Sequence, residues 1–210
     1  MIFFNAEKAF VYLYDLISTT GYECQDTKAI YNCGFTLKYP DRNLINVKWR
    51  NWNKKYADKE WQWYLTKNPN AVEISKSAPI WKKHMNEKNE VNSNYGHQWH
   101  RNNQYDKIIE MLKKNNDTRR AVLTLYDGKE IVEYEKDTPC TLNVGFFIKD
   151  GYLNMSVMMR SNDLWYGFCN DQYCFSNLQK DIAKEINLPI GEYYHYSMNM
   201  HIYNDKLNKI

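Results

Sequence analysis

With 210 residues, 43% hydrophobic and 25% charged, the chain has the size and balance of one folded domain and not of a disordered or membrane-spanning protein. Its formal charge of +3 is too small to argue for nucleic-acid binding on electrostatics, so neither a direct nucleic-acid partner nor a membrane partner is expected. Five cysteines, at positions 24, 33, 140, 169 and 174, form no C-x-x-C pair and leave an odd number, which signals neither a disulfide framework nor a zinc ribbon. Free thiols, no metal and a cytoplasmic location are expected, the last because the brief Met1–Phe4 run is followed at once by Asn5, Glu7 and Lys8 and does not resemble a secretory signal.

In chain order, residues 6 to 19 place Ala9, Phe10, Leu13 and Ile17 at helical spacing and predict an amphipathic opening helix. Residues 29 to 50, with Tyr31, Phe35 and Leu37 ahead of Pro40-Asp41, predict a strand, a turn and an extended segment. Asn53 to Leu65 reads as helix, and the polar run from Pro69 to Asn94 as a helix with loops. Asn103 to Lys114 is a helix closing near Asn115-Asn116-Asp117. Ala121 to Tyr126, Thr141 to Ile148 and Tyr152 to Met159 are strands, the last two joined through a hairpin turn at Asp150-Gly151. Phe175 to Ile186 is a mostly buried helix. Strands and helices interleave without a regular βαβ repeat, so the fold class is α+β, a mixed sheet with helices packed on it.

Two clusters carry chemistry. Pro139-Cys140-Thr141 places a lone cysteine at the start of a predicted strand. Cysteines at such positions are commonly buried structural thiols, and reactivity needs an electropositive neighbourhood, which Arg119, Arg120 and Arg160 are available to supply. Three converging arginines would also make a phosphate site. The second cluster, Met159 to Asp171, sets dense polar residues between a strand and a helix, either as a ligand-presenting loop or as a solvated one. His201 and Tyr203, two apart, point to one face if they lie on a strand, and by themselves fit a structural role.

The ordered set Glu60-Trp61-Gln62-Trp63-Tyr64, Trp81, Asn94-Tyr95-Gly96, Arg119-Arg120, Pro139-Cys140, Arg160-Ser161-x-Asp163, Gly167 and His201-x-Tyr203 resembles the thymidylate synthase superfamily. Within it, Asn92-Ser93-Asn94-Tyr95-Gly96, Met159-Arg160-Ser161-Asn162-Asp163 and Gly167-Phe168-x-Asn170-Asp171 look most like phage deoxycytidylate hydroxymethylases. Three departures from the synthases support that branch: Asp171 where they carry the Asn that reads uracil, Thr141 where they carry a His after the cysteine, and Met159 in place of Gln before Arg-Ser. Uracil offers an acceptor at O4 and a donor at N3, which a neutral amide satisfies. Cytosine offers an amino donor and an N3 acceptor, so a carboxylate accepts from the amino group and holds N3 once that nitrogen is protonated as an adduct forms. Against uracil the same carboxylate faces O4 and is mismatched.

The resemblance implies a single thymidylate-synthase-like catalytic domain over 1–210 that converts dCMP and 5,10-methylenetetrahydrofolate to 5-hydroxymethyl-dCMP. It implies Cys140 as nucleophile at C6 of the base, Glu60 as the carboxyl that organises water and relays protons, and Asp171 at the base. Arg160 and Ser161 are implied on the phosphate, with Arg119 and Arg120 donated across a homodimer interface. Tyr95 and Asn170 are implied in nucleotide binding, His201 and Tyr203 on the sugar hydroxyl, and Trp81, Asp163 and Gly167 on the folate side. The family's first phosphate arginine has only Lys28 as a substitute. The sequence stops at Ile210, soon after His201-Ile202-Tyr203, without the long segment that closes the synthase site, so that either another element excludes water or the site is more open; an open site would favour water as the final nucleophile, since hydride transfer requires exclusion of solvent. Rival readings are a thymidylate synthase acting on dUMP, a dCMP methylase, a non-catalytic single-strand binding protein that uses its aromatics, and an inactive nucleotide-binding relative.

Overall fold

A computed structural model describes residues 1–128 and 136–209. The opening helix α1 (Ala6–Thr20) is capped by Asn5, whose side chain accepts from the Lys8 N–H at 3.0 Å, and buries Phe10, Leu13 and Ile17 as its spacing predicts. It follows strand β1 (Ile2–Phe3) and precedes a hairpin of β2 (Tyr22–Cys24) and β3 (Thr27–Leu37). Five helices follow: α2 (Lys54–Leu65), α3 (Val72–Ser75), α4 (Trp81–His84), α5 (Tyr95–His100) and α6 (Gln104–Lys114), with α2 packed on α3 and α5, and α5 on α6. After β4 (Val122–Thr124) come β5 (Thr141–Lys149), β6 (Tyr152–Met159) and the two-residue β7 (Asn162–Asp163). A π-helical turn, Leu164–Phe168, leads into α7 (Cys169–Glu185), and β8 (Ile190–Tyr203) ends the sheet.

Among the described residues the strands form one sheet in the order β1-β3-β8-β6-β5-β4, with β2 on β3 and β7 on β8. It is mixed: β3 and β8 are antiparallel, β6 and β8 parallel, β5 and β6 antiparallel. The β5–β6 connection is the expected Asp150-Gly151 turn, with φ of 54° and 79°, the left-handed pair that a tight hairpin needs. Helices α1 and α7 cover one face, packing Phe10, Leu13, Phe175, Leu178 and Ile182 onto Phe35, Met155 and Val157. This is the α+β arrangement read from the sequence.

One expectation needs correction. Helix α7 starts at Cys169, not Phe175, so Asn170 and Asp171 sit in its first turn and not in a loop. Residues 190–203, to which no element is assigned from the sequence, form β8, which lies at the middle of the sheet and pairs with β3 over ten residue pairs. Its buried positions include His195 and Ser197, so the apolar alternation that marks a strand is missing.

Helix α5 lies close against α2 because residue 96 is glycine: a Cβ there would overlap the Tyr64 backbone. No helix among the described residues is long and apolar enough to cross a membrane.

Candidate active site

Cys140 stands immediately before β5 and Arg160 immediately after β6. The register pairs Thr141 with Met159, and the Arg160 N–H donates to the Cys140 carbonyl at 2.8 Å, so the ladder itself sets the two side by side. The guanidinium then clamps the approach to the cysteine: Nη2 donates to the Thr138 carbonyl at 2.8 Å, Nε to the Pro139 carbonyl at 3.0 Å, and Nη2 lies 3.6 Å from Cys140 Sγ. The same loop is anchored by Asp137, which accepts from the Ser93 N–H and hydroxyl, both at 2.7 Å. Burial pushes the Cys140 thiol up to about 11 even though Arg160 favours the thiolate.

Opposite the thiol are two carboxyls. Glu60 projects from the face of α2 that also carries Tyr56 and Tyr64, at i−4 and i+4. It is buried, not a surface helix glutamate; Tyr64 donates to Oε1 at 3.3 Å, while Oε2 has no partner. Asp171, half-buried in the first turn of α7, is close enough to act on Glu60 electrostatically and accepts from Asn162 Nδ2 at 2.7 Å. Burial raises Glu60 to about 8, with Asp171 adding to it, and raises Asp171 to about 7. Near neutral pH the floor of the site therefore holds exchangeable protons, the condition general acid–base work requires.

Glu60 also makes a stability prediction. Its ordinary value of 4.5 is raised to about 8 on folding, so the native state binds the extra proton in between. The stabilisation is fully present below about 4.5 and is lost as pH rises through about 8. Between pH 5.5 and pH 8.5 wild-type protein should lose roughly 3 kcal/mol more stability than Glu60→Gln. Urea unfolding of both proteins at pH 5.5 and pH 8.5 measures the difference; parallel curves would show that Glu60 is not a buried, protonated carboxyl.

The other sequence-assigned residues divide into near and far. Tyr95, at the start of α5, is buried beside Cys140 and stacks on Phe175 with ring centroids 5.7 Å apart. Ser161 Oγ lies 3.5 Å from His201 Nδ1, and His201 and Tyr203 meet edge to face at 5.6 Å, on one face as expected. Trp81 donates from its indole N–H to the Tyr56 hydroxyl at 2.8 Å, linking it to the Glu60 side of the cleft. Asp163 caps the π-helical turn by accepting from the Trp165 N–H at 2.8 Å, and burial lifts it to about 6. Asn170 accepts from Trp52 Nε1 at 2.8 Å. Gly167 leaves room for the Asn162–Asp171 contact, since a Cβ there would stand 3.0 Å from Asn162 Nδ2 and 3.2 Å from Asp171 Oδ2. Lys28 is engaged elsewhere, donating to the Ser18 carbonyl at 3.2 Å and pairing with Glu23 at 3.7 Å.

Arg119 and Arg120 are exposed at the far end of the sheet. The Ala121 carbonyl accepts from the Phe146 N–H, six residues along β5 from Cys140, which is about 20 Å of strand. The convergence of three arginines within one chain is thus ruled out by the strand itself. Asn162, Tyr193 and His195, which hydrogen-bond in sequence behind Asp171, were not singled out from the sequence; only the position of Asn162 inside the Arg160-Ser161-x-Asp163 motif pointed that way. Among the described residues no group of three or more His, Cys, Asp or Glu is arranged to hold a metal ion.

The chain is 38% identical over 122 residues to deoxyuridylate hydroxymethyltransferase of Pseudomonas phage M6, covering 55% of this chain and 35% of that protein. It is 34% identical over 142 residues to deoxycytidylate 5-hydroxymethyltransferase of Enterobacteria phage T4, covering 62% and 58%. To thymidylate synthase of Bacillus licheniformis it is 25% identical over 176 residues, covering 80% and 63%. The matched part is thus under two thirds of the length of each of these curated relatives. The thymidylate synthase family profile matches residues 14–210, which takes in Glu60, Cys140, Arg160, Asp171 and every strand of the sheet from β2 onward, and the chain belongs to the thymidylate synthase family.

Proposed function

We propose that this chain hydroxymethylates a pyrimidine nucleotide at C5, with dCMP as substrate and 5,10-methylenetetrahydrofolate as co-substrate. The observation that carries the reading is the meeting of the Cys140 thiol, the Arg160 guanidinium and the two carboxyls of Glu60 and Asp171 at one end of the sheet. Cys140 adds to C6 of the ring and makes C5 nucleophilic. Because burial holds the thiol protonated, its proton must pass to water as the base docks, and Arg160 at 3.6 Å stabilises the thiolate that remains. Asp171 reads the base: titrating near neutrality, it shares one proton with N3 of cytosine while accepting from the amino group. Glu60, with Oε2 unpartnered, positions water and moves protons at the base.

The unpartnered Glu60 oxygen and the half-buried Trp81, tied to Tyr56, fit the reacting end of a folate, and the family resemblance adds Asp163 and Gly167 to the folate side. When bound, the folate supplies the one-carbon unit taken up at C5. Arg160 and Ser161 hold the phosphate, Tyr95 and Asn170 the nucleotide, and His201 and Tyr203 the sugar hydroxyl. Water as the final nucleophile is supported by the phage relatives named as hydroxymethyltransferases. The phage M6 relative, named for deoxyuridylate, favours dUMP as the second reading. Mass spectrometry of products from dCMP or dUMP with methylenetetrahydrofolate decides: hydroxymethyl-dCMP supports the reading, whereas dTMP or hydroxymethyl-dUMP as the main product overturns it.

A homodimer belongs to the same proposal. The sheet face away from the helices carries exposed Val122, Phe147, Tyr194 and Met198, and Val122, Gly145, Ser156 and Tyr194 are neighbours across four adjacent strands. Arg119 and Arg120 flank that face, far from their own Cys140, where they would serve a partner's phosphate site. Sedimentation equilibrium should give twice the chain mass of 25.3 kDa, and a monomer at micromolar concentration would remove this part of the reading.

A further inference from the structure

Behind Asp171 lies a file of buried polar groups that the proposed chemistry does not use. Tyr193 and His195, neighbours on one face of β8, are both fully buried; Tyr193 OH stands 2.8 Å from His195 Nδ1, and His195 Nε2 stands 3.1 Å from Asn162 Oδ1. Asn162 is buried on β7, and its Nδ2 donates to Asp171 Oδ2. The imidazole is held by Phe35, stacked at 5.1 Å, and by Phe168, edge-on at 5.4 Å. Burial lowers its titration to about 3, so the ring is neutral, with one donor nitrogen and one acceptor nitrogen.

A file of this kind has two polarities. In one, the Tyr193 O–H donates to Nδ1, Nε2–H donates to the Asn162 oxygen, and the Asn162 amide N–H reaches Asp171. In the other, every bond is reversed, the Asn162 oxygen faces Asp171, and the buried Tyr193 O–H is left without an acceptor in the file. The cost of an unsatisfied buried hydroxyl selects the first.

We propose that Asn162, oriented through His195 by the Tyr193 hydroxyl, is the positioning residue that makes Asp171 specific for one base. This rests on the reading of Asp171 as the group that reads the base. A carboxyl carrying one proton has one donor and one acceptor oxygen, and by moving the proton it fits cytosine or uracil equally well. With the Asn162 N–H on Oδ2, that oxygen is kept an acceptor and the proton stays on Oδ1. Cytosine and uracil present opposite donor and acceptor orders at N3 and C4, so a carboxyl of fixed polarity matches one and opposes the other. Gly167 belongs to the device, since any larger residue would crowd both Asn162 Nδ2 and Asp171 Oδ2.

Tyr193→Phe removes the hydroxyl that selects the polarity and adds no bulk; Asn162→Val removes the donor itself. The ratio of kcat/KM for dCMP over dUMP should collapse toward unity by at least about tenfold in Tyr193→Phe, and the double variant should change it no further than Asn162→Val alone. General damage would lower both rates together and leave the ratio unmoved. Nitrogen-15 NMR of the histidines gives a readout that does not need turnover: wild-type His195 should be the Nε2–H tautomer, and Tyr193→Phe should shift it toward Nδ1–H. An unchanged ratio, or an Nδ1–H tautomer in the wild type, overturns the inference. A wild-type preference for dUMP overturns the cytosine reading alone, and the collapse of that preference in Tyr193→Phe would still sustain the role of the file.

Discussion

Cys140→Ala should abolish turnover, lowering kcat by roughly 10⁵-fold while nucleotide affinity changes little. The size of the loss follows from the role. Without addition at C6 the C5 carbon has no carbanion character, and no other group in the site supplies it. Arg160, Glu60 and Asp171 keep their positions, because the loop before β5 is held by the Asp137–Ser93 bonds and by Arg160 on the Thr138 and Pro139 carbonyls, none of which involves the thiol. Rapid-quench product analysis gives the rate, and intact-mass measurement with a 5-fluoropyrimidine nucleotide, whose C5–F bond blocks the proton loss that completes the reaction, should show a covalent adduct in the wild type only. The pH dependence is a second signature. With the thiol pushed to about 11, alkylation of Cys140 should climb about tenfold per pH unit from 7 to 10 without a plateau. A plateau below pH 9 would show that burial does not hold the thiol protonated, and a Cys140→Ala enzyme near wild-type activity would remove Cys140 from the role of nucleophile.

Asp171→Asn should lower kcat/KM for dCMP by roughly 10³-fold and for dUMP much less, so that the preference between the two falls by at least about 100-fold. An amide neither supplies nor accepts the proton that N3 of cytosine takes up as the adduct forms, whereas N3 of uracil already carries its own. Asn is close in volume to Asp and keeps an oxygen for the Asn162 N–H, so the first turn of α7 is not disturbed. The variant should also lose any limb near pH 7 in the dCMP profile, since Asp171 titrates at about 7 and its replacement does not titrate. Steady-state kinetics on both nucleotides over pH 5.5 to 9 tests the two statements together. If dCMP and dUMP rates fall in parallel, Asp171 supports the site without reading the base.

How much of this was legible beforehand depends on the range over which each feature is encoded. Helix α1, helix α6, the β5–β6 hairpin and its Asp150-Gly151 turn rest on local spacing and local backbone preference, and the amino-acid order by itself determined them. The hairpin brings the end of β6 back beside the start of β5, but the register that its turn sets, kept from Lys149–Tyr152 to Asn143–Met158, would place Thr141 opposite Arg160; a bulge between Thr141 and Asn143 moves the pairing to Met159, and that shift is not written in the turn. Family membership and the ordered motifs were likewise present in the residues alone. Helix α2 was read correctly, yet nothing near Glu60 in the sequence says that it is buried; Lys55, Asp58 and Lys59 surround it, and only the packing of α2 on α7 closes the site over the carboxyl.

Tertiary structure alone decided the rest. Strand β8 is central although its buried positions include His195 and Ser197, since polar side chains break the alternation on which strand reading depends. The first turn of α7 looked like a loop because Asn170, Asp171 and Gln172 are polar, and they are polar because they are satisfied by partners on other elements: Trp52, Asn162 and the Asn43 carbonyl. Arg119 and Arg120 were grouped with Arg160 by chemistry and separated from it by the length of β5. In each case an apolar pattern is written locally, along a helix or strand, whereas the partner of a buried polar group is supplied by residues remote in the chain, as His195 is supplied to Asn162 from 33 positions away, and only the folded sheet brings the two into contact.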